Sequence, residues 1–295
     1  MKMKTLTIKT ILASVVLPAM LTACYKEDPL HSERGEIPYK IEDSDNPALH
    51  YIYEYNQKTG VYILSDYTDV DFKWNVGSES NNDLIRIKDG VLDDAIEYVK
   101  AVLTEVYPEE FAKKYFPLKV LLADSISVST SKSDDLLVGS GRSYIAIGRL
   151  HKGDIPTDED KLADIRGEVS GYLWGNYIYS NNLMTIPEGF FSPSEKYYGV
   201  SFKQDEYKQY ENDPDYPRKV GFWRYDPDGV YPCICPKKEL DISDFVKTIV
   251  THSSAQMQEL MEGYEILRIK YDILIKAVKD NCGVDLQAIG NKYAK

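Results

Sequence analysis

Three glycines recur at every fourth position inside a segment that otherwise has the pattern of an amphipathic helix. The segment covers residues 158–179, and its apolar positions share one face: Leu162, Ile165, Val169, Tyr172 and Leu173. Because residues four apart lie on the same side of a helix, Gly167, Gly171 and Gly175 form one stripe. Each glycine inside a helix costs about 1 kcal/mol relative to alanine. The stripe therefore predicts that another backbone or a bulky ring approaches this face closely.

The same stripe also has a chemical interpretation. Residues 167–171 have the spacing of the H-E-x-x-H motif, with glycine at both histidine positions and Glu168 at the glutamate position. In that motif the two histidines bind zinc from one helix face, and the glutamate acts as general base on the metal-bound water. One glutamate between two glycines does not identify a site, so the structural and the chemical interpretations both stay open at this point.

The other hydrophobic patterns predict strands mostly in the first half of the chain and helices mostly in the second. Alternating or continuous apolar runs predict strands over residues 51–64, 70–74, 118–123 and 144–148. Helical spacing predicts helices over residues 90–106, 158–179, 241–252 and 257–280. Gly283 is a plausible left-handed cap for the last helix. Residues 181–237 show little periodicity and predict a long loop that serves as a lid or a binding surface. This order favours an α+β fold.

Four stretches in this order resemble a known family: residues 71–75 (DFKWN), 114–125 (KYFPLKVLLADS), 146–149 (AIGR) and 280–286 (DNCGVDL). The family consists of bacterial lipoproteins described as zinc-binding metallopeptidases, or substrate import-associated zinc metallohydrolase lipoproteins. The resemblance extends from about residue 51 to the C-terminus. It implies a zincin-like metallopeptidase body with a mixed or antiparallel sheet and a largely helical C-terminal half. It also implies a single domain over residues 48–295.

The resemblance further implies where a metal site would lie. In such proteins the helix after the Ile-Gly-Arg strand carries H-E-x-x-H, and a later helix carries an acidic stretch of the type E-D-F-A-E. Here Gly167 and Gly171 stand at the histidine positions, while Ser243 and Lys247 stand at acidic positions of the second motif. Only Glu168 is left, as a catalytic remnant.

A typical catalytic zinc site needs three protein ligands, and this alignment supplies none of them. No H-x-x-x-H pair is formed by the four histidines, which are His31, His50, His151 and His252. We therefore predict a degenerate family member that binds a partner or substrate without a metal or other cofactor. The alternative is an active zinc-dependent metallohydrolase or peptidase, with ligands outside the alignment or with metal-free acid–base chemistry around Glu168.

The N-terminal residues have the layout of a bacterial export signal. Three lysines precede an apolar run over residues 11–17, and the stretch Leu21-Thr22-Ala23-Cys24 resembles the lipobox of bacterial lipoproteins. In a lipobox the cysteine thiol is acylated and the cysteine becomes the first mature residue. This predicts a signal peptide over residues 1–23, lipid attachment at Cys24 and a polar tether over residues 24–47. The alternative is an ordinary signal peptide with an incidental cysteine.

The residues behind Cys24 bear on location and partners. Lys26, Glu27 and Asp28 resemble the signal that sends some Gram-negative outer-membrane lipoproteins to the cell surface. A solvated charged leader on the periplasmic face is the alternative. Loss of residues 1–23, which carry three lysines and no acids, changes the net charge from -12 to -15. An acidic chain repels phosphate backbones, so no nucleic-acid partner is expected. The expected partners are the outer membrane, an importer complex implied by the resemblance, and a peptide or glycan ligand.

The remaining cysteines are Cys233, Cys235 and Cys282, which allow at most one disulfide among themselves. A bond between Cys233 and Cys235 would be strained, whereas one of them could bridge Cys282. A Cys-Ile-Cys metal fragment is a third interpretation, although zinc sites usually have wider spacing and a second ligand pair. The sequence leaves these states open.

Overall fold

A computed structural model describes residues 39–75, 78–79, 82–128, 135–200, 213, 215–229 and 233–294 of the 295-residue chain. The predicted signal peptide, Cys24, the Lys26–Asp28 signal and most of the predicted tether lie outside these residues. The fold below belongs to the unit Ile41–Lys295.

The first described element is a helix where alternation predicted a strand. Helix α1 spans Pro47–Thr59, and only Tyr62–Leu64 form a strand, β1. Leu49 donates its main-chain N–H to the Asn46 side chain at 3.0 Å, and Gly60 ends the helix at a φ of 76°. The side chains buried along α1 recur at helical spacing: Ala48, Ile52, Tyr55 and Thr59. The strand predicted over residues 51–64 is wrong before β1, because the capped ends and this spacing outweigh the local alternation.

The strand predicted over residues 70–74 is wrong over most of its length. Helix α2 spans Asp69–Lys73, and the strand is confined to β2, Trp74–Asn75, which pairs antiparallel with β3, Ser78–Glu79. The Asp71 carboxylate accepts the main-chain N–H of Thr68 at 2.8 Å. Such side-chain-to-backbone bonds stabilise a first helical turn, and a hydrophobic pattern does not reveal them.

A mixed sheet organises the first half of the fold. Its further strands are β4 (Asn82–Arg86), β5 (Lys119–Val128), β6 (Val138–Ser140) and β7 (Tyr144–Ile147). The order is β1-β5-β7-β6, with β1 and β7 parallel to the first half of β5 and β6 antiparallel to β7. Strand β4 pairs antiparallel with the second half of β5. The strands predicted over residues 118–123 and 144–148 are confirmed.

Helices cover the sheet and form most of the second half. Helix α3 spans Leu92–Val99 and continues as a π-helical turn over Lys100–Thr104, which confirms the helix predicted over residues 90–106; α4 spans Glu109–Tyr115. Helix α5 spans Glu159–Tyr172 and continues as a π-helix over Leu173–Tyr179. The Asp158 side chain accepts the Lys161 N–H at 3.1 Å and begins α5. The helix predicted over residues 158–179 is confirmed.

The C-terminal part adds helical turns and then longer helices. The turns are α6 (Glu188–Phe191), a 3₁₀ turn (Ser192–Tyr197) and α7 (Tyr216–Lys219). The later helices are α8 (Lys238–Thr251), α9 (Ser254–Leu260), α10 (Glu265–Cys282) and α11 (Leu286–Tyr293). The single helix predicted over residues 257–280 is wrong, because Gly263 takes a φ of 81° and the chain turns between α9 and α10. Gly283 ends α10 at a φ of 69°, as predicted.

One hydrophobic core joins the two halves. It includes Val120 and Ile145 from the sheet, Val169 from α5 and Phe245 from α8. The structure therefore has the α+β architecture and the helical C-terminal half that were predicted, and of the two sheet types left open, mixed or antiparallel, the sheet is mixed. In the part of the chain that is described, no helix combines the length and the apolar character needed to cross a membrane.

Candidate functional site

The glycine stripe of α5 and its π-helical extension lies directly against α8. A Cβ atom at Gly171 would lie 2.6 Å from the main-chain oxygen of Ser243, and one at Gly175 would lie 2.2 Å from the main-chain oxygen of Glu239. Real Cβ atoms essentially never come within 3.0 Å of another heavy atom. The two helix backbones therefore touch along this stripe, which is the close approach that three glycines on one face predict.

The four positions that the resemblance assigned to a lost metal site meet at this helix contact. A Cβ at Gly167 would lie 3.3 Å from Cγ of Lys247 and 2.5 Å from Cγ2 of Thr251. A Cβ at Gly171 would lie 3.3 Å from Cβ of Lys247, besides its contact with Ser243. The two sequence stretches thus face each other as the resemblance implies, but α8 fills the space that side chains at Gly167 and Gly171 would need.

Glu168 is paired with a cation. The ammonium of Lys247 donates a hydrogen bond to Glu168 Oε1 across the contact between α5 and α8. The Glu168 side chain is 51% exposed and the Lys247 side chain 35%, and exposed pairs of this kind contribute about 0–1 kcal/mol to stability. The consequence is chemical rather than energetic. The Glu168 carboxylate is paired with an ammonium at a position where the resemblance implies an acidic residue.

Asp244 is paired with a second cation, Arg224. The guanidinium Nη2 lies 2.7 Å from Oδ1, and Nε lies 3.0 Å from both carboxylate oxygens. Burial raises the pKa of Asp244, while the hydrogen bonds from Arg224 oppose that shift. In turn, the bond to Asp244 raises the pKa of Arg224. Arg224 could not be predicted from the sequence, because it lies in the irregular segment and no local pattern connects it to α8.

These contacts test whether the residues at this place fit a zinc ion. Zinc is bound by cysteine, histidine or carboxylate, with three protein ligands in a typical catalytic site. Here two of the motif positions are glycines, and the carboxylates of Glu168 and Asp244 are each held by a cation. In the described ranges, no group of three or more His, Cys, Asp or Glu side chains is arranged to hold a metal ion. The donor set at this helix contact does not fit zinc.

The comparisons with known proteins concern the fold. A solved structure from Bacteroides caccae, described as a putative zinc-binding metallo-peptidase, superimposes with a TM-score of 0.52 at 16% sequence identity. The match covers 85% of this chain and 93% of that chain. The chain has a metallopeptidase-like fold. No family model and no curated protein matches the sequence, so at this level of identity the likeness shows the fold alone.

One turn before Asp244, α8 of this metallopeptidase-like fold carries a fully buried ion pair. Asp241 and Lys270 are 1% and 0% exposed, and Oδ2 lies 2.6 Å from Nζ. Burial raises the pKa of Asp241 to about 6 and lowers the pKa of Lys270. The sequence patterns did not reveal this pair either. The one sign of it in the sequence is a lysine at a position of α10 that faces the core.

The structure also bears on the cysteines. Cys235 is buried, and burial raises the pKa of its thiol to about 12. Cys282 at the end of α10 places its Sγ atom 3.2 Å from Sδ of Met184. Cys235 and Cys282 are thiols, so the bridge between them that the sequence left open is not formed. A buried thiol with a raised pKa is a poor nucleophile and a poor metal ligand.

Proposed function

We propose that this protein is a lipid-anchored binding or accessory component of an outer-membrane substrate import system, and that its metallopeptidase-like body does not hydrolyse peptides. The observation that carries the proposal is the ion pair between Lys247 and Glu168. It lies where the resemblance would put the general base and an acidic residue of the metal site. The resemblance to import-associated lipoproteins and the lipobox at Cys24 support the cellular context.

The chemistry of peptide hydrolysis supports the non-catalytic role. A general base alone is not sufficient, since the developing oxyanion needs an electrophile that stabilises its charge. In metallopeptidases zinc supplies that charge. Two cations of the described chain, Lys247 and Arg224, interact with Glu168, and each already has a carboxylate partner. We derive no hydrolytic step from this arrangement.

The binding surface that we propose is the irregular segment over residues 181–237, with a peptide or glycan as ligand. Tyrosine is abundant there, and its ring can stack on a ligand while its hydroxyl stays hydrated. The described part of this segment reaches the site, because Arg224 belongs to it and binds Asp244 of α8. A ligand bound around Arg224 would therefore lie beside the helix contact.

The metal state is the first test. We expect the purified protein to contain no stoichiometric zinc and to cleave no peptide, as measured by elemental analysis and by a mixed-peptide digestion assay. Glu168→Gln should leave thermal stability nearly unchanged, because the pair that it weakens is exposed. Stoichiometric zinc, together with a peptidase activity that Glu168→Gln abolishes, would reject the proposal and favour the active metallohydrolase.

Restoring the motif is a sharper form of the same test. We expect the variant Gly167→His, Gly171→His and Ser243→Glu to gain no zinc and to unfold at a lower temperature. The physical reason is that each new Cβ would lie 2.5–2.6 Å from an atom of α8. Recovery of a zinc site depends on α5 and α8 leaving room for imidazoles, and they do not. Tight zinc binding by this variant would show that α8 can move away.

The anchor is tested separately. We expect the natural protein to incorporate labelled fatty acid and to sediment with membranes, whereas Cys24→Ala should be unlipidated and either released or retained as a precursor. More than one acyl chain is needed for a stable anchor, at about 0.8 kcal/mol for each buried methylene. Absence of label from the natural protein would refute the lipoprotein assignment without affecting the metal test.

A further inference from the structure

The ring of His151 lies between two carboxylates, one at each of its nitrogens. Nε2 lies 2.9 Å from Oδ2 of Asp135, and Nδ1 lies 3.4 Å from Oδ1 of Asp124. Asp124 belongs to β5, Asp135 lies between β5 and β6, and His151 lies in the connection from β7 to α5. The cluster therefore joins three segments that are separate in the sequence.

Asp124 depends on this contact because its carboxylate is buried. The side chain is 10% exposed, and no hydrogen-bond donor in the described part of the chain satisfies its buried Oδ1 atom. The other oxygen, Oδ2, lies 3.6 Å from the ammonium of Lys88, which is 66% exposed. A buried carboxylate is costly unless a charged or hydrogen-bonded partner compensates for its lost hydration. At Oδ1 the imidazole of His151 can supply that partner.

The charge state of His151 decides whether both contacts are attractive. An imidazolium carries a proton on each nitrogen, so it attracts Asp124 and Asp135 together, whereas a neutral imidazole carries only one proton. The separation of 2.9 Å between Nε2 and Asp135 Oδ2 is that of a hydrogen bond, so the neutral ring keeps its proton on Nε2. The lone pair of Nδ1 then faces Oδ1 of Asp124, and this contact becomes repulsive.

The charged groups around the ring favour the imidazolium. The hydrogen bond to Asp135 raises the pKa of His151 and the bond to Asp124 adds to the rise, while burial opposes it. Two further cations are bound at other atoms of the cluster. Lys88 is near Oδ2 of Asp124, and Arg149 Nε donates to the main-chain oxygen of Asp135 at 2.8 Å. Neither cation takes the place of the imidazolium at Oδ1.

We propose that His151 is a pH-sensitive clamp on the connection from β7 to α5. As an imidazolium it bridges Asp124 and Asp135 and holds the connection against β5. When it loses its proton, it keeps its bond to Asp135 and releases Asp124. The proposal does not rest on the import function, because none of these residues belongs to the contact between α5 and α8.

The backbone next to the clamp needs such support. Arg149 has a φ of 62°, a left-handed conformation that is unfavourable for a residue with a side chain and persists only where the surroundings hold it. The following residue, Leu150, donates its main-chain N–H to the oxygen of Ala123 at 3.2 Å. Ala123 is the neighbour of Asp124 in β5. A loss of attraction at Asp124 is therefore felt first at this bond.

The connection then forms one wall of a cavity. Its wall residues line a cavity of about 360 Å³ opposite Tyr98 of α3, a size within the range of ligand pockets: Gly153, Ile155, Pro156 and Thr157. Hydrogen exchange of the amides in residues 150–157 therefore measures the clamp and the order of this wall together.

The sign of the pH dependence follows from linkage. A histidine whose pKa is higher in the folded than in the unfolded state binds its proton more tightly when folded. Its contribution to stability is fully present below the ordinary pKa of about 6.5 and is lost as the pH rises through the folded pKa. The clamp is thus closed under mildly acidic conditions and opens as the solution becomes alkaline.

The test is an NMR titration of the His151 ring in the full chain between about pH 5 and about pH 9, together with hydrogen exchange of residues 150–157. Protection factors remove the intrinsic pH dependence of exchange. We expect a pKa above the ordinary value, the Nε2–H tautomer in the neutral form, and protection that falls several-fold as the ring loses its proton. A pKa at or below the ordinary value, a neutral Nδ1–H tautomer, or constant protection would each overturn the proposal.

Three variants locate the effect. Asp135→Asn should lower the pKa of His151 toward its ordinary value, because it removes the carboxylate opposite Nε2. His151→Gln keeps a donor but does not titrate, so protection of residues 150–157 should be the same at about pH 6 and about pH 9. His50→Gln is the matched control, since His50 also pairs with an aspartate, Asp43, at 2.6 Å. If His151→Gln kept the pH dependence, or His50→Gln abolished it, the clamp would not be His151.

Discussion

Replacing Lys270 with methionine is expected to destabilise the protein by about 3–5 kcal/mol, because the change leaves the Asp241 carboxylate buried without its cation. Asp241 is 1% exposed, so water cannot replace the lost ammonium. The flexible methionine side chain fills most of the lysine volume, so lost packing contributes little. The free energy of unfolding, measured by urea titration at neutral pH, checks this value.

The pH dependence of that loss has a definite sign. A carboxyl group whose pKa is higher in the folded than in the unfolded state binds protons more tightly when folded, so it favours folding at low pH and loses that contribution as the pH rises through the folded pKa. Burial raises the pKa of Asp241 to about 6 even beside Lys270. The loss in Lys270→Met should therefore be smaller at about pH 5 than at about pH 8.

A double variant is the matched control. Lys270→Met with Asp241→Leu removes both charges, and replacing both partners of a buried pair by apolar side chains is often neutral. We expect most of the loss to be recovered. If Lys270→Met were as stable as the natural protein, or if its loss of stability grew toward low pH, the Asp241 carboxylate would not be buried as the structure shows.

The second large effect is expected for Gly171→Leu. The Cβ atom of the new side chain would lie 2.6 Å from the main-chain oxygen of Ser243, so α5 and α8 would have to separate. Overpacking of this kind typically costs about 1–3 kcal/mol. Thermal unfolding and urea titration should both report the loss.

Gly189→Leu provides the control for that change. Gly189 also lies in a helix, α6, but it is exposed, and a Cβ there would meet only the terminal methyl of Ile273, at 3.3 Å. A flexible methyl can move away, so the stability should change little. If Gly171→Leu and Gly189→Leu had equal effects, the close contact between α5 and α8 would not be what requires glycine at position 171.

Much of the local structure could be predicted because its causes lie within a few residues of one another. Helix α5 has a side-chain cap at Asp158 and apolar residues three or four positions apart, and both are visible in the sequence. The apolar run that became β5 is equally plain. The errors at α1 and α2 have the same local origin. The Asn46 cap of α1 and the bond from Thr68 N–H to the Asp71 carboxylate in α2 favour helices, and they outweigh the alternation of apolar residues that predicted strands.

The sequence by itself determined the α+β architecture and the need for a close neighbour along the glycine stripe. Only the tertiary structure decided which neighbour it is, namely α8, and which cations neutralise Glu168 and Asp244. Lys247 is 79 positions from Glu168, and Arg224 is 20 positions from Asp244. No helical or strand periodicity connects residues so far apart. Both pairings follow from the packing that brings these segments together. For Asp244, which is 5% exposed, desolvation makes the carboxylate costly unless the folded chain brings a cation to it.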